Sequence, residues 1–322
     1  MQVIKLIFHR FIVFWAVASA LVLTGCESVD VVETHDAQTY LEFRELQDAF
    51  QSSDGKISYI DAGEGEKVIL LLHGVPSSSW LYRKMIDNLV ADGYRVIAPD
   101  MLGFGNSDNP DGYDVYAPEQ HAKRILALMD SLNIDTWTHV MHDAGGVWTW
   151  ALVDMAPNKF DNLVILNTII FNEGFNPPVK MSQGPAAKLA MSLYTEESTS
   201  TPLLNQLFKE GLKGNTLTDV SFTGFQTPLL EGKTKGMYQF FTNTCNHLPD
   251  FEPVLTKLDG VPVAVIWGND DGILHWPEQS EHVMSVLNIK ESDVHIVDAG
   301  HFLQEEAPDE VSEHIVEFLG NH

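Results

Sequence analysis

The sequence predicts an α/β fold: a mostly parallel central sheet flanked by helices, with an inserted helical cap. Three observations predict it. Short β-rich apolar runs recur along the chain, and longer amphipathic stretches separate them. The alternation stops between about residues 171 and 250 and then resumes. Repeated strand–helix units place parallel strands side by side and leave the helices to cover both faces.

The strands are expected in this order. Residues 68–72 (VILLL) end in His73-Gly74, and 95–98 (RVIA) end in Pro99-Asp100. Residues 139–141 (HVM) end in His142-Asp143, and 163–166 (LVIL) end in Asn167. Residues 263–267 (VAVIW) end in Gly268, and 294–297 (VHIV) end in Asp298. Each run has the composition of a strand buried on both faces. Helices are expected over 80–91, 118–132, 145–155, 277–288 and 308–319. The stretch 171–250 is rich in Gly, Pro, Ser and Thr and carries helical pieces at 186–194 and 202–212. It lacks an apolar strand run and reads as the cap. Residues 41–170 and 251–322 then form the core.

The first 25 residues stand apart. Lys5 and Arg10 precede an apolar run from Phe11 to Leu23. A basic start, a short apolar run and small residues before a cut site predict a secretory signal. The run is too short for a dedicated membrane span. Leu23-Thr24-Gly25-Cys26 resembles the bacterial lipobox. The resemblance implies that Cys26 is lipidated and becomes the first mature residue. It also implies a place in the bacterial cell envelope, with Glu27 leaning towards the outer membrane, facing the periplasm. Residues 26–40 are polar and acidic and read as the lipidated tether.

Composition excludes other classes. The 322 residues carry 19 Lys+Arg against 45 Asp+Glu, a formal charge of −26. Such acidity argues against nucleic acid as a partner. It equally opposes charge-driven attraction to an anionic membrane, so attachment would rest on the lipid at Cys26. Two cysteines make neither a disulfide scaffold nor a zinc finger, which leaves Cys245 as a packing thiol. His139 and His142 would point to opposite faces of a strand. No metal and no cofactor is implied.

Three reactive residues fall at strand ends, where ligands bind in open α/β sheets. Asp143 is followed by Ala144-Gly145-Gly146 and a helix. Asp271 follows Trp267-Gly268-Asn269-Asp270, and His301 lies in Asp298-Ala299-Gly300-His301-Phe302. The order nucleophile, acid, histidine is that of the α/β-hydrolases. An Asp at the nucleophile position selects the chemistry. A carboxylate attacks amides poorly, but it can displace a leaving group from a saturated carbon. Water activated by His301 would then cleave the ester, with Asp271 orienting the imidazole. The backbone N–H groups of Val75 and Ala144 are the expected oxyanion donors.

Four segments carry a resemblance to the haloalkane dehalogenase and epoxide hydrolase branch of the α/β-hydrolases. They are LLHGVPSSSWLYRKMI (71–86), RVIAPDMLGFGNSDNP (95–110), HVMHDAGG (139–146) and DAGHFLQEEAPDE (298–310). The likeness runs from about residue 55 to 320. It implies an α/β-hydrolase acting on a small organic substrate and water, with haloalkane dehalogenation first and epoxide hydrolysis as the alternative. In one dehalogenase group the acid follows the strand after the nucleophile's, and here that place is Asn167. Dehalogenases usually carry Trp after the nucleophile and many carry Asn after H-G, both as halide donors. This chain has Ala144 and Val75 there. Trp148 and Trp80 are therefore candidate leaving-group donors, and Tyr238 and Tyr194 are candidate proton donors to an epoxide. A fold retained as a non-enzymatic binding protein is the alternative from a different class.

Overall fold

The computed structural model describes residues 30–32, 39–177, 179–214 and 216–322. The signal segment 1–25 and Cys26 lie outside the described residues. Among the described residues, ten strands, β1 to β10, are Asp30–Val32, Asp48–Gln51, Lys56–Ala62, Val68–Leu72, Arg95–Pro99, Trp137–Asp143, Phe160–Thr168, Thr216–Thr218, Val263–Gly268 and Val294–Val297. The main helices, α1 to α10, are Tyr40–Glu45, Arg83–Ala91, Pro118–Ser131, Gly145–Met155, Pro185–Ser192, Glu197–Gly211, Asp219–Leu230, Lys235–Gln239, Trp276–Val286 and Pro308–Asn321.

Eight strands form one sheet in the order β10-β9-β7-β6-β4-β5-β3-β2. It is parallel from β10 to β5 and antiparallel at β5–β3–β2. The six expected apolar runs are its six parallel strands. The inner strands β4, β5, β6, β7 and β9 are mostly buried because helices cover both faces, whereas the edge strand β10 is partly exposed, with Ile296 at 52%. All seven residues of β6 are buried, whereas β2 at the edge is mostly exposed. Helix α4 is apolar around almost its whole circumference, with eight of its residues buried. Such a helix has no solvent face to give. It therefore sits directly behind the end of β6.

The antiparallel pair β2–β3 goes beyond the six expected strands. Its edge strand carries no continuous apolar run, since one face meets water. Part of the stretch read as the tether is also paired. Asp30–Val32 pairs in parallel with Thr216–Thr218 of the cap region, in the register Asp30↔Thr216 to Val32↔Thr218. So the stretch 171–250 does contain a short strand. Helix α1 starts one residue before the expected core boundary. It does so because Thr39 and Glu42 form a reciprocal capping box at its first turn.

Helices α5 to α8 lie between β7 and β9. Two of them close over the loop that follows β10. Phe208 of α6 and Phe225 of α7 pack on Phe302, with ring centroids 5.1 and 6.0 Å away. The Phe302 N–H donates to the Gly211 carbonyl at 3.2 Å. A charged cluster ties the same region to the core. Glu305 accepts both Arg83 guanidinium nitrogens, one of them at 2.9 Å, and lies 2.8 Å from Lys84 Nζ. Ser221 at the start of α7 donates to Glu305 at 3.1 Å and accepts from Arg83. Arg83 also stands 4.1 Å over the Trp80 ring. Removing one partner of a buried pair leaves the other charge uncompensated. Glu305→Ala is therefore expected to destabilise the fold by about 3–5 kcal/mol. Urea unfolding measures this, and a loss below about 1 kcal/mol would show that the cluster does not hold the cap region to the core.

Candidate active site

Asp143 is the last residue of β6, at φ +53°. A non-glycine residue in the left-handed region carries strain, which the surrounding packing must maintain. The strain turns the chain sharply from β6 into α4 and lifts the carboxyl above the sheet. Close packing leaves no room for larger residues here. A Cβ on Gly74 would fall 2.3 Å from the Asp143 side chain, and one on Gly145 would fall 2.8 Å from the Leu72 and His73 carbonyls. The main-chain carbonyl of Asp143 accepts from the Thr168 hydroxyl at 2.6 Å and the Ile169 N–H at 3.2 Å.

The structure brings Asp143, Asp271 and His301 together. His301 Nδ1 lies 2.8 Å from Asp271 Oδ2, and His301 Nε2 lies 3.6 Å from Asp143 Oδ2. The other Asp143 oxygen accepts the Val75 N–H at 2.6 Å. Asp271 is saturated. Its Oδ1 accepts the N–H groups of Ile273 (2.7 Å) and Leu274 (2.9 Å), and its Oδ2 also accepts Asn167 Nδ2 at 2.7 Å. Asn167 Oδ1 in turn accepts the Gly268 N–H at 2.7 Å. Asn167 is the next-to-last residue of β7, directly after the apolar run 163–166, and that place marks it in the sequence. Its two-way bonding between β7 and β9 depends on which strands become neighbours.

Burial and charge oppose each other at all three groups. Asp143 is 7% and His301 2% exposed, so the site is nearly closed to water. Burial alone would raise the Asp143 carboxyl. The adjacent His301, then His142 and the Val75 N–H, outweigh it and hold the group below its ordinary value. Asp271 is likewise lowered, with burial opposed by His301, Asn167 and the Leu274 N–H. Burial would lower His301, but Asp271 and Asp143 carry it up to about 10.

These directions set a stability profile. The His301 value in the fold lies above its ordinary 6.5. Its stabilisation is therefore fully present below about pH 6.5 and is lost as pH rises towards about 10. In urea unfolding, wild type should exceed His301→Gln most near pH 6 and least near pH 10. A gap that is constant over that range would contradict the charge pairing.

The other expected residues separate. Val75 donates to Asp143, as above. Ala144 is buried and opens α4, where the first N–H groups of a helix have no intrahelical partner. Trp80 is fully buried, and its indole N–H donates to the Ser221 carbonyl at 3.3 Å. That donor is already engaged by the first turn of α7. Trp148 packs its ring against His73, Phe104 and His121. No hydrogen bond to its indole N–H occurs among the described residues. Tyr238 stacks on Tyr113 at 3.9 Å, and its hydroxyl accepts the Gly184 N–H at 2.9 Å. Tyr194 is half-buried just past α5, and burial raises its hydroxyl. Cys245 is buried, and its thiol is pushed up to about 12 by burial and then by the Asp143 charge. His139 meets Thr149 at 2.8 Å while His142 meets the His301 carbonyl at 2.8 Å, so the two imidazoles serve different neighbours.

Comparison with known proteins agrees with this architecture. Residues 67–308 match the family model described as alpha/beta hydrolase fold. A haloalkane dehalogenase of Psychrobacter cryohalolentis is 27% identical over 85% of this chain and 90% of its own length. A cis-3-alkyl-4-alkyloxetan-2-one decarboxylase of Shewanella oneidensis is 30% identical over 84% of this chain and 87% of its own. The crystal structure of an epoxide hydrolase from Vigna radiata superposes with a TM-score of 0.64 at 23% identity, covering 86% of this chain and 98% of that one. The chain belongs to the alpha/beta hydrolase fold family and is a hydrolase.

Proposed function

We propose that the protein is a haloalkane dehalogenase-like hydrolase in which Asp143 is the nucleophile. One observation carries the reading: a carboxylate held ionised, not a hydroxyl, occupies the strained turn between β6 and α4. Asp143 Oδ2 attacks a saturated carbon, the carbon–halogen bond breaks, and the halide leaves with the bonding electrons. The product is an alkyl ester on Asp143. Its carbonyl oxygen is Oδ1, already on the Val75 N–H. Water gives a proton to His301 Nε2 and adds to the ester carbonyl. The tetrahedral oxyanion is held by the Val75 and Ala144 N–H groups. Collapse releases the alcohol and restores the carboxylate. Asp271 stabilises the imidazolium.

Esterification removes the negative charge of Asp143, one of the influences that raise His301. The imidazole is thereby eased towards its neutral form at the step that needs a base. Trp148, with its free indole N–H, is the proposed halide donor in place of the absent side chains at 144 and 75. A second reading, epoxide hydrolysis, is favoured by Tyr238. Its oxygen accepts from Gly184, which leaves its own proton free to donate. The purified protein should be offered bromoalkanes, epoxides and 3,4-dialkyl oxetan-2-ones. Halide release supports the first reading and diol formation the second. Turnover of the lactone alone would align the chain with the Shewanella relative, and no turnover on any panel would favour a binding protein.

Lipidation of Cys26 and attachment in the bacterial cell envelope complete the proposal, supported by the sequence at 23–26. Cys26→Ala should move the protein from the membrane to the soluble fraction.

A further inference from the structure

We infer that His142 is a positioning residue that sets the separation of His301 from Asp143, and thereby serves ester hydrolysis and not displacement. This role rests on the ester mechanism proposed above. His142 directly precedes Asp143 on β6, and its Nε2 lies 2.8 Å from the main-chain carbonyl of His301. A carbonyl only accepts, so the proton is on Nε2 and His142 donates. The two imidazole rings are 4.5 Å apart at 44°, and both side chains are buried. Strand β6 is thus pinned to the His301 loop one residue away from Asp143.

The other holds on that loop come from elsewhere. Gly300 N–H donates to Glu306 at 2.7 Å, and Phe302 N–H donates to Gly211 at 3.2 Å. Asp271 holds the imidazole at 2.8 Å. Of these, only the His142 bond ties His301 to the strand that carries Asp143. The gap it fixes, 3.6 Å between His301 Nε2 and Asp143 Oδ2, borders the place that a hydrolytic water needs. Displacement by Asp143 requires no movement of a proton by His301, so it does not depend on this spacing. Nearby ionisation does not disturb the bond. Burial, and then the charge of His301, lower His142 to about 3 and keep it a neutral donor across the working range.

The test separates the two chemical steps with bromohexane in rapid-quench experiments, following bromide release and the mass of the protein adduct. His142→Phe keeps a ring and removes the donor. It is expected to slow adduct breakdown about 10- to 100-fold, the scale of a misplacement near 1 Å, with displacement changed less than about two-fold. His142→Gln keeps an N–H donor and should recover most of the breakdown rate. If the Phe variant does not fold, His142→Met takes its place with the same expectation. Equal slowing of both steps, unchanged breakdown without the donor, or failure of Gln to recover it would each overturn the role. His301→Gln is run beside them. An adduct there upholds the ester mechanism, so a negative result at His142 then counts against His142 alone. Its absence removes the mechanism and this role with it.

Discussion

Asp143→Asn is expected to lower kcat by about ten-thousand-fold with the fold retained. The amide has the same shape and tolerates the left-handed region as well as Asp does. Its carbonyl oxygen can still accept the Val75 N–H. What disappears is the negative charge, and an amide oxygen is a far weaker nucleophile than a carboxylate. Removing one member of a catalytic set that acts as a unit typically costs on this scale. The substitution also withdraws one of the charges that raise His301, so the His301 value should fall from about 10 in an NMR titration. Retention of more than about a tenth of the wild-type kcat, with the fold intact, would remove Asp143 from the role of nucleophile.

His301→Gln is expected to separate the reaction into its halves. Displacement needs Asp143 and a clamp for the leaving group, so it should persist. Ester hydrolysis loses its base and should slow by about a thousand-fold, within the usual range for general-base catalysis. A haloalkane should then give a burst of about one halide per protein, followed by near-silence. The alkyl group should be found on the peptide containing Asp143. Steady multiple turnover without an adduct would show that His301 acts elsewhere. Loss of the burst itself would show that it acts before the ester forms.

The parallel sheet was legible because each of its strands contains a short, largely apolar β-rich run followed closely by Gly, Asn or Asp. The site was legible for the same reason, since those ends carry Asp143, Asp271 and His301 in order. Less legible is whatever depends on tertiary neighbours. Trp80 and Trp148 look alike as indoles in apolar surroundings. Only packing shows that Ser221 takes the Trp80 N–H while the Trp148 N–H has no partner among the described residues. Asn167 is visible as the residue that closes an apolar run, but its bond to Asp271 spans 104 positions. The bond of His142 to His301 spans 159. The β1–β8 pairing is equally hidden, because the polar tether and the Thr-flanked strand Thr216–Thr218 show no apolar alternation.

A single turnover in ¹⁸O-labelled water tests most directly whether the Asp143 carboxylate forms the new bond. Protein in excess over bromohexane turns over once, and both the alcohol and the Asp143 peptide are analysed by mass. The ester mechanism predicts unlabelled alcohol, whose oxygen came from Asp143, and one ¹⁸O in the Asp143 carboxyl. Label in the alcohol of that first turnover, with an unlabelled Asp143, would mean that water attacked the substrate directly and would contradict the account.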